Sequence, residues 1–314
     1  MLFQHHPGHR PLLVIVGPTG IGKTSLSLEL ALMFSGEIIS ADSRLFYKGM
    51  DIGTDKPSLW DRAQVRHHLV DICKPDEIMT LGQYTRAAAA AIDDVQSRNQ
   101  LPILTGGTGQ YVRAVVEGWQ VPEVAPQIAL REALEKMGGP ELSRWLTILD
   151  PKSASAIDPL NVRRVIRALE VTLVSGYPIS HLQGKKPPQF DIMTVGLNCD
   201  REILYSRIDT RVDRMIANGL VEEVRNLRAI EYGRDLPAMS GLGYRQVYAY
   251  LDGEMDLDDC VERIKFETHR LARQQHNWFR QDDHRINWYD TGQSNWRSRV
   301  IQDVRHYLAS ASLK

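Results

Sequence analysis

The chain is short of cysteine, of net charge and of long apolar runs, and each shortage closes off a class of protein. Cys73, Cys199 and Cys260 are odd in number, far apart and form no C-x-x-C pair, which argues against a disulfide framework and a zinc site. They read as ordinary thiols of a reducing cytosol, so a cytoplasmic location is expected. A formal net charge of −1 supplies no global pull on a polyanion, so any nucleic-acid contact has to come from local patches. No apolar run approaches the roughly 20 residues of a membrane span, and MLFQHHPGHR has no apolar signal-peptide core. Neither membrane nor export is expected. His5, His6 and His9, with Pro7 and Gly8 among them, read as a loose tail rather than a metal site. What is present is globular: 43% hydrophobic and 25% charged residues over 314 positions suit one large domain or two unequal ones. There is no internal repeat or low-complexity tract.

Against that ordinary background, Leu12 to Val16 read as a short buried strand halted by Gly17 and Pro18. Gly17-Pro18-Thr19-Gly20-Ile21-Gly22-Lys23-Thr24 then fits G-x-x-x-x-G-K-[ST]. Glycines at that spacing let backbone N–H groups converge on phosphate oxygens at the positive end of the next helix. Lys23 adds a full charge, and Thr24 a hydroxyl suited to Mg2+. The plain alternative is a glycine-rich turn with Lys23 merely exposed. The motif leaves open which phosphate compound is held.

The chain then alternates as a parallel α/β protein should. Ser25 to Ser35 suits a helix, Gly36 ends it, and Glu37 to Ala41 reads as a second strand with Asp42-Ser43 at its carboxyl end. In an open parallel sheet that end shares a rim with the phosphate loop, so Asp42 either looks into the site or caps a turn. His67 to Cys73 is expected as a third strand carrying Asp71, a Walker-B-like acid or a cap; His67 and His68 would point to opposite faces and read as structural. Leu81 to Arg98 is helical, and Leu101 to Leu104 is a fourth strand. It runs into Thr105-Gly106-Gly107-Thr108-Gly109, a second glycine-rich strand-to-helix turn on the same rim, which makes Thr108 a candidate hydroxyl contact.

From Trp119 the grammar changes. Pro122, Pro126, Gly138, Gly139, Pro140, Pro151 and Pro159 break up short helical patterns, and no strand is expected before about Phe190. The expected organisation is a P-loop core over 1–119, a helical insertion over 120–189, and a return to the core with C-terminal helices over 190–314. Asn161 to Val174 is the insertion's best helix, with Val162, Val165, Ile166, Leu169 and Leu173 as its buried stripe. Arg163, Arg164 and Arg167 fall at other angles, as a solvated face or as contacts to a phosphate backbone. Gly176 to Gln189 reads as a loop. Phe190 to Asn198 returns to the sheet. Arg207, Arg211 and Arg214 then share one helical face, where they either pair with carboxylates or serve a diphosphate that Lys23 alone cannot neutralise. GLGYR (241–245) starts another helix. Asp256 to Arg280 is expected as a long helix in which Arg263, Lys265, Arg270, Arg273 and Arg280 interleave with His269, His276, Trp278 and Phe279, a mixture that suits RNA or an ordinary charged face.

From the residues alone the reading ends at a P-loop α/β protein handling a phosphate compound, and a kinase would satisfy it. The motifs, however, resemble the tRNA dimethylallyltransferase (tRNA isopentenyltransferase) family, in order and over nearly the whole chain. They are GPTGIGKT, SADSRLFYKGMDIGTDKP, LTGGTGQY, NVRRVIRALEV, RIDTRVDRMIANGLVEEV, GLGYRQ and LARQQHNWF. The run from Asp42 to Pro57 is the most specific. The resemblance implies transfer of a dimethylallyl group from dimethylallyl diphosphate to N6 of the adenosine beside the anticodon, with Mg2+ as cofactor, tRNA as partner and no obligate protein partner. It puts Gly17 to Thr24 and Arg211 on the diphosphate, Thr24 on the metal, Asp42 on the attacking amine and Thr108 beside the transferring centre. It assigns tRNA contacts to Asp42, Ser43, Arg44, Leu45 and Thr108, to Arg163, Arg164 and Arg167, to Gly243, Tyr244 and Arg245, and to Arg273 and Arg280. The target base is expected to flip out of its stack into a channel between core and insertion. Two departures matter. The family's arginine near the start of the insertion aligns with Ala129, which leaves Arg131 as a shifted candidate, and Arg273-Gln274 stands where a basic pair is commoner. Asp71 matches no catalytic position of the family and is withdrawn as a metal ligand. A P-loop kinase, a prenyltransferase acting on free adenylate and a non-catalytic RNA-binding protein with a nucleotide pocket are the competing readings.

Overall fold

Leu12 to Val16 are wholly buried, as an apolar run stopped by Gly17 and Pro18 requires. In the computed structural model, which describes residues 10–187 and 190–311, this run is the strand β1 (Pro11–Val16). The tail histidines His5, His6 and His9, and the end of the 176–189 loop, lie outside the described residues. The helix α1 (Lys23–Phe34) follows and ends on Ser35 in the left-handed region at φ 51°. Next come β2 (Gly36–Ser40), α2 (Leu59–Gln64), β3 (His67–His68), α3 (Leu81–Ser97), β4 (Leu101–Thr105) and α4 (Gly109–Val116). Capping boxes at Ser58 and Thr80 fix the starts of α2 and α3.

The chain divides into two units, one built from 10–112 and 190–311 and the other from 113–187, so the first crossing falls inside α4. The second unit holds β5 (Trp119–Gln120), α5 (Ile128–Glu135), α6 (Gly139–Leu149), α7 (Pro151–Ala156), α8 (Val162–Ser175), α9 (Ile179–Leu182) and β6 (Gly184–Lys185). It is helical apart from β5 and β6, which pair antiparallel where no strand was expected. Two residues on each side carry too little pattern to be seen in sequence. Val165, Ile166 and Leu169 of α8 pack in the unit's core with Leu134, Leu142 and Leu146, as the stripe predicts. Leu173 does not: it is 41% exposed, and Val171 is buried in its place.

The first unit resumes with β7 (Asp191–Asn198), α10 (Arg201–Ala217), α11 (Leu220–Ala229), α12 (Tyr244–Leu251), α13 (Leu257–Gln275), β8 (Ile286–Asp290) and α14 (Trp296–Ala311). Its six-stranded sheet has the order β3-β2-β4-β1-β7-β8 with every pairing parallel. Thr105 pairs with both Ile15 and Ser40, so β1, β2 and β4 end together and release Gly17, Asp42 and Gly106 on one rim. Gly106 has to be glycine there, because a Cβ would lie 2.2 Å from the Ala41 carbonyl oxygen.

Two further expectations change, at the third strand and at the long C-terminal helix. The third strand is two residues long rather than seven-odd, since Leu69 and Asp71 turn into the left-handed region at φ 61° and 56° and carry the chain off the sheet. Asp71 is no Walker acid. Its oxygens take Lys56 Nζ and an Arg62 guanidinium nitrogen, each at 2.6 Å, and these cations hold its carboxyl below the ordinary range despite burial. The long C-terminal helix stops at Gln275 instead of Arg280, and β8 and α14 lie beyond anything the sequence marked.

Candidate active site

The phosphate loop takes the shape its glycines permit. Gly20 and Gly22 sit at φ 81° and 101°, a region costly for any side chain. The helix α1 begins at Lys23 without a side-chain cap, leaving its first amides available to a ligand. Lys23 Nζ donates to the carbonyl oxygens of Gly17 (3.0 Å) and Pro18 (2.8 Å), and no carboxylate is within ion-pair distance among the described residues. Burial lowers its pKa to about 8; Asp42 opposes the shift and Arg211 adds to it. Ile21 is 2% exposed and anchors the loop in the core, while Gly17 abuts the Leu197 carbonyl. Pro18 contributes its carbonyl to Lys23.

Arg211, reaching in from α10, is the second desolvated cation. One guanidinium nitrogen donates to Thr19 Oγ1 at 2.9 Å, and another stands 3.5 Å from Asp55. Its Nε is buried with no hydrogen-bond partner. Burial also lowers its pKa, against the pull of Asp55 and Asp42. Arg214 shares Asp55 at 3.6 Å, and Arg207 donates to Thr291. All three arginines of the row line a cavity of about 980 Å3 that also takes in Thr19, Lys23 and Thr24.

The facing wall comes from the ends of β2 and β4. Asp42 Oδ1 accepts the Arg44 backbone N–H at 2.9 Å, and its other oxygen has no hydrogen-bond partner among the described residues. Thr108 Oγ1 accepts the Ser43 N–H at 3.1 Å while the Thr108 N–H donates to Ala41 O at 3.2 Å, which sews the second glycine turn to the segment carrying Asp42. Arg44 is itself held by the carbonyls of Pro237 and Ala238 and by Ser240 Oγ. Asp42, Ser43, Arg44, Leu45 and Thr108 all line the cavity.

Other sequence-marked residues are placed differently. Gly243, Tyr244 and Arg245 lie on the cavity wall, but Tyr244 is 1% exposed and gives its hydroxyl to Glu223 at 2.6 Å. Glu223 also takes the N–H groups of Asp51, Ile52 and Gly53, so Tyr244 serves to fix the loop that presents Asp55. Arg245 pairs with Glu267. Arg273 donates to Tyr205 Oη at 2.7 Å, and Arg280 binds Asp282; neither lines the cavity. In the second unit, Arg163 and Arg164 are exposed, whereas Arg131 and Arg167 both turn onto Glu170, a fully buried carboxylate that also accepts the Gln127 N–H. Arg131, two positions beyond Ala129 on α5, is thus held by Glu170.

Metal sites test differently. Glu37, His68 and Asp94 converge, yet Arg98 lies among them, donating to Glu37 Oε2 and Asp94 Oδ2 at 2.8 Å each. A guanidinium already fills the role of cation, and His68 bonds Glu37 as a structural histidine. Thr24, by contrast, is exposed on the cavity wall that also carries Asp42, and hard oxygen donors of this kind fit Mg2+ shared with substrate phosphates.

Sequence reasoning missed one residue. Gln275, 7% exposed, accepts the Thr19 N–H at 2.8 Å and donates to Gly107 O at 2.9 Å, bridging the two glycine turns. Its signal was present: Cys260, Ile264, Thr268, Ala272 and Gln275 form the buried stripe of α13, and an amide at the end of such a stripe needs polar partners.

A family model described as IPP transferase matches residues 45–282. The chain is 46% identical over 307 residues to a tRNA dimethylallyltransferase of Thermomicrobium roseum, covering 96% of this chain and 93% of that protein. It is 53% identical over 273 residues to one of Chloroflexus aurantiacus, covering 86% and 92%. Among solved structures, the full-length tRNA isopentenylpyrophosphate transferase of Bacillus halodurans is similar with a TM-score of 0.72 at 35% identity, over 96% of this chain and 98% of that one. A eukaryotic dimethylallyltransferase acting on tRNA gives 0.83 at 26% identity, over 96% and 80%.

Proposed function

The chain belongs to the tRNA dimethylallyltransferase family, and from that premise we propose how its cavity carries out the transfer. It is a prenyltransferase whose acceptor is tRNA, and the donor we assign is dimethylallyl diphosphate. The observation that carries this assignment is the pair of desolvated cations, Lys23 and Arg211, facing one cavity across from an Asp42 oxygen without a partner. Diphosphate at the glycine loop satisfies both cations and the buried Nε of Arg211. The adenine amine then attacks the allylic carbon. An N6–C bond forms, the C–O bond breaks, its electron pair leaves with diphosphate, and the N6 proton passes to Asp42. Charge accumulates on the leaving group as that bond lengthens, so loop amides, Lys23 and Arg211 stabilise the transition state more than the ground state.

Thr24 would hold Mg2+, which adds positive charge at the departing phosphates. Thr108 and Ser43 keep Asp42 in register through the hydrogen bond that joins their segments. Gly243 and Arg245 flank the entry used by the base, and Arg44 and Leu45 form the wall beside Asp42. Exposed Arg163, Arg164, Arg273 and Arg280 are assigned to the phosphates of the anticodon arm. No described helix is long and apolar enough to cross a membrane, and we place the enzyme in the cytoplasm with its substrate. The test is incubation with labelled dimethylallyl diphosphate, Mg2+ and unmodified tRNA, followed by digestion. Label in adenosine is expected; folded, tRNA-binding protein that incorporates none would sink the assignment.

A further inference from the structure

Gln275 lies in the stretch that the family likeness gives to tRNA, but its side chain turns inwards and joins the two glycine turns. A carboxamide is the one uncharged side-chain group that accepts and donates at neighbouring atoms, and both ends are used: Oε1 on the Thr19 N–H and Nε2 on the Gly107 carbonyl. Thr19 is also the residue whose hydroxyl receives Arg211. One amide from α13 therefore fixes the backbone of a loop residue whose side chain positions the second cation. Gly107 shows how close this approach is, because a Cβ there would lie 2.3 Å from Gln275 Nε2 and 3.9 Å from Lys23 Nζ. The same end of α13 closes on Gly109, where a Cβ would meet Trp278 at 2.2 Å.

We infer that Gln275 is a positioning residue of the diphosphate grip, holding Thr19 and the Gly107 turn at the separation at which Lys23 and Arg211 converge; this rests on the diphosphate reading of the cavity. Gln275 does not touch the reacting atoms. It acts through Thr19 and Gly107, and RNA contact from this stretch is left to exposed neighbours such as Arg273.

The test is a double-mutant cycle on the full-length protein. Gln275→Met keeps the volume and removes both hydrogen bonds. Gly107→Ala puts a methyl group where the amide now sits, at a backbone conformation that needs no positive φ. Calorimetry with inorganic diphosphate and steady-state kinetics with tRNA are the readouts. Each variant is expected to bind diphosphate about tenfold more weakly and to turn over more slowly, with KM for tRNA within about twofold of wild type. The double variant is expected to be no worse than the worse single one, because both break the same bridge. Gln275→Met with wild-type diphosphate affinity, or losses that simply add, would overturn the inference. Should Gln275→Met fail to fold, Gly107→Ala alone with unchanged affinity would do the same. Wild-type protein that bound no diphosphate would instead overturn the reading beneath it.

Discussion

Burial takes the Lys23 ammonium out of water with no carboxylate at ion-pair distance among the described residues, and that loss of hydration loosens its proton although the Gly17 and Pro18 carbonyl oxygens help to hold it. With the folded pKa near 8 against an ordinary 10.5, the folded protein gives up this proton first. Stability linked to Lys23 is therefore least below pH 8 and rises as pH climbs from there towards 10.5. Ligand affinity runs the other way, since diphosphate binds the charged form. Affinity is expected to fall above about pH 8, by up to about tenfold per pH unit. Diphosphate titrates as well, so the wild-type profile should be compared with Lys23→Arg, which holds its charge throughout. The difference between the two calorimetric profiles isolates Lys23, and identical slopes would refute its titration. Asp42 calls for a different measurement. Asp42→Asn keeps an acceptor for the Arg44 N–H but cannot take a proton, so kcat is expected to drop about 10²–10⁴-fold with tRNA affinity nearly unchanged. A variant that lost tRNA binding but kept turnover would rule out the base role.

At the scale of elements, the second unit depends on carboxylates kept charged inside it. Glu117, Asp150 and Glu170 are each held down to about 2, although burial alone would raise them. Arginine and lysine partners offset burial at Glu117, Ser153 and Ser180 at Asp150, and Arg131, Arg167 and the Gln127 N–H at Glu170. The stability they supply is complete above the ordinary carboxylate range and is lost as pH falls towards 2. This unit should accordingly unfold between about pH 4.5 and 2. Glu170→Gln is expected to flatten that acid limb, as followed by circular dichroism. Arg131→Ala, which leaves Arg167 as the remaining cation on Glu170, is expected to cost about 1–3 kcal/mol in denaturant unfolding. No measurable loss would mean that Arg131 is free for another partner. The same packing logic decides what the sequence could reveal. The strands β1, β2, β4 and β7 are legible because each carries buried apolar residues, around Val14, Ile38, Ile103 and Val195. The strand β8, Ile-Asn-Trp-Tyr-Asp, is an edge with one buried side chain and leaves no such trace. The strand β3 ends early because left-handed turns at Leu69 and Asp71 are written in backbone angles rather than hydropathy. At the site, the glycine loop and Asp42 were visible as local patterns, while Gln275 depends on contacts across |i−j| of 168 and 256 residues, which no local pattern encodes.

For the molecule as a whole, a net charge of −1 means that tRNA cannot be gathered by a bulk field and has to be held by a few placed cations. Several arginines are already committed: Arg131 and Arg167 to Glu170, and Arg245 to Glu267. Arg163 and Arg164 at the start of α8 are exposed and have no ion-pair partner among the described residues. They can therefore take up an RNA phosphate without breaking an ion pair. Each phosphate contact contributes about 0.7–0.9 to the slope of log affinity against log salt. Arg163→Ala with Arg164→Ala should reduce that slope by about 1.4–1.8, lower tRNA affinity most strongly at low salt, and leave the affinity for inorganic diphosphate as it was. A filter-binding series from low to high salt reads the slope directly. If the slope is unchanged while affinity drops uniformly, the two arginines act on the fold of the second unit and the phosphates lie elsewhere. If the slope falls and diphosphate binding holds, recognition of RNA and grip on the leaving group are carried by separate sets of charges.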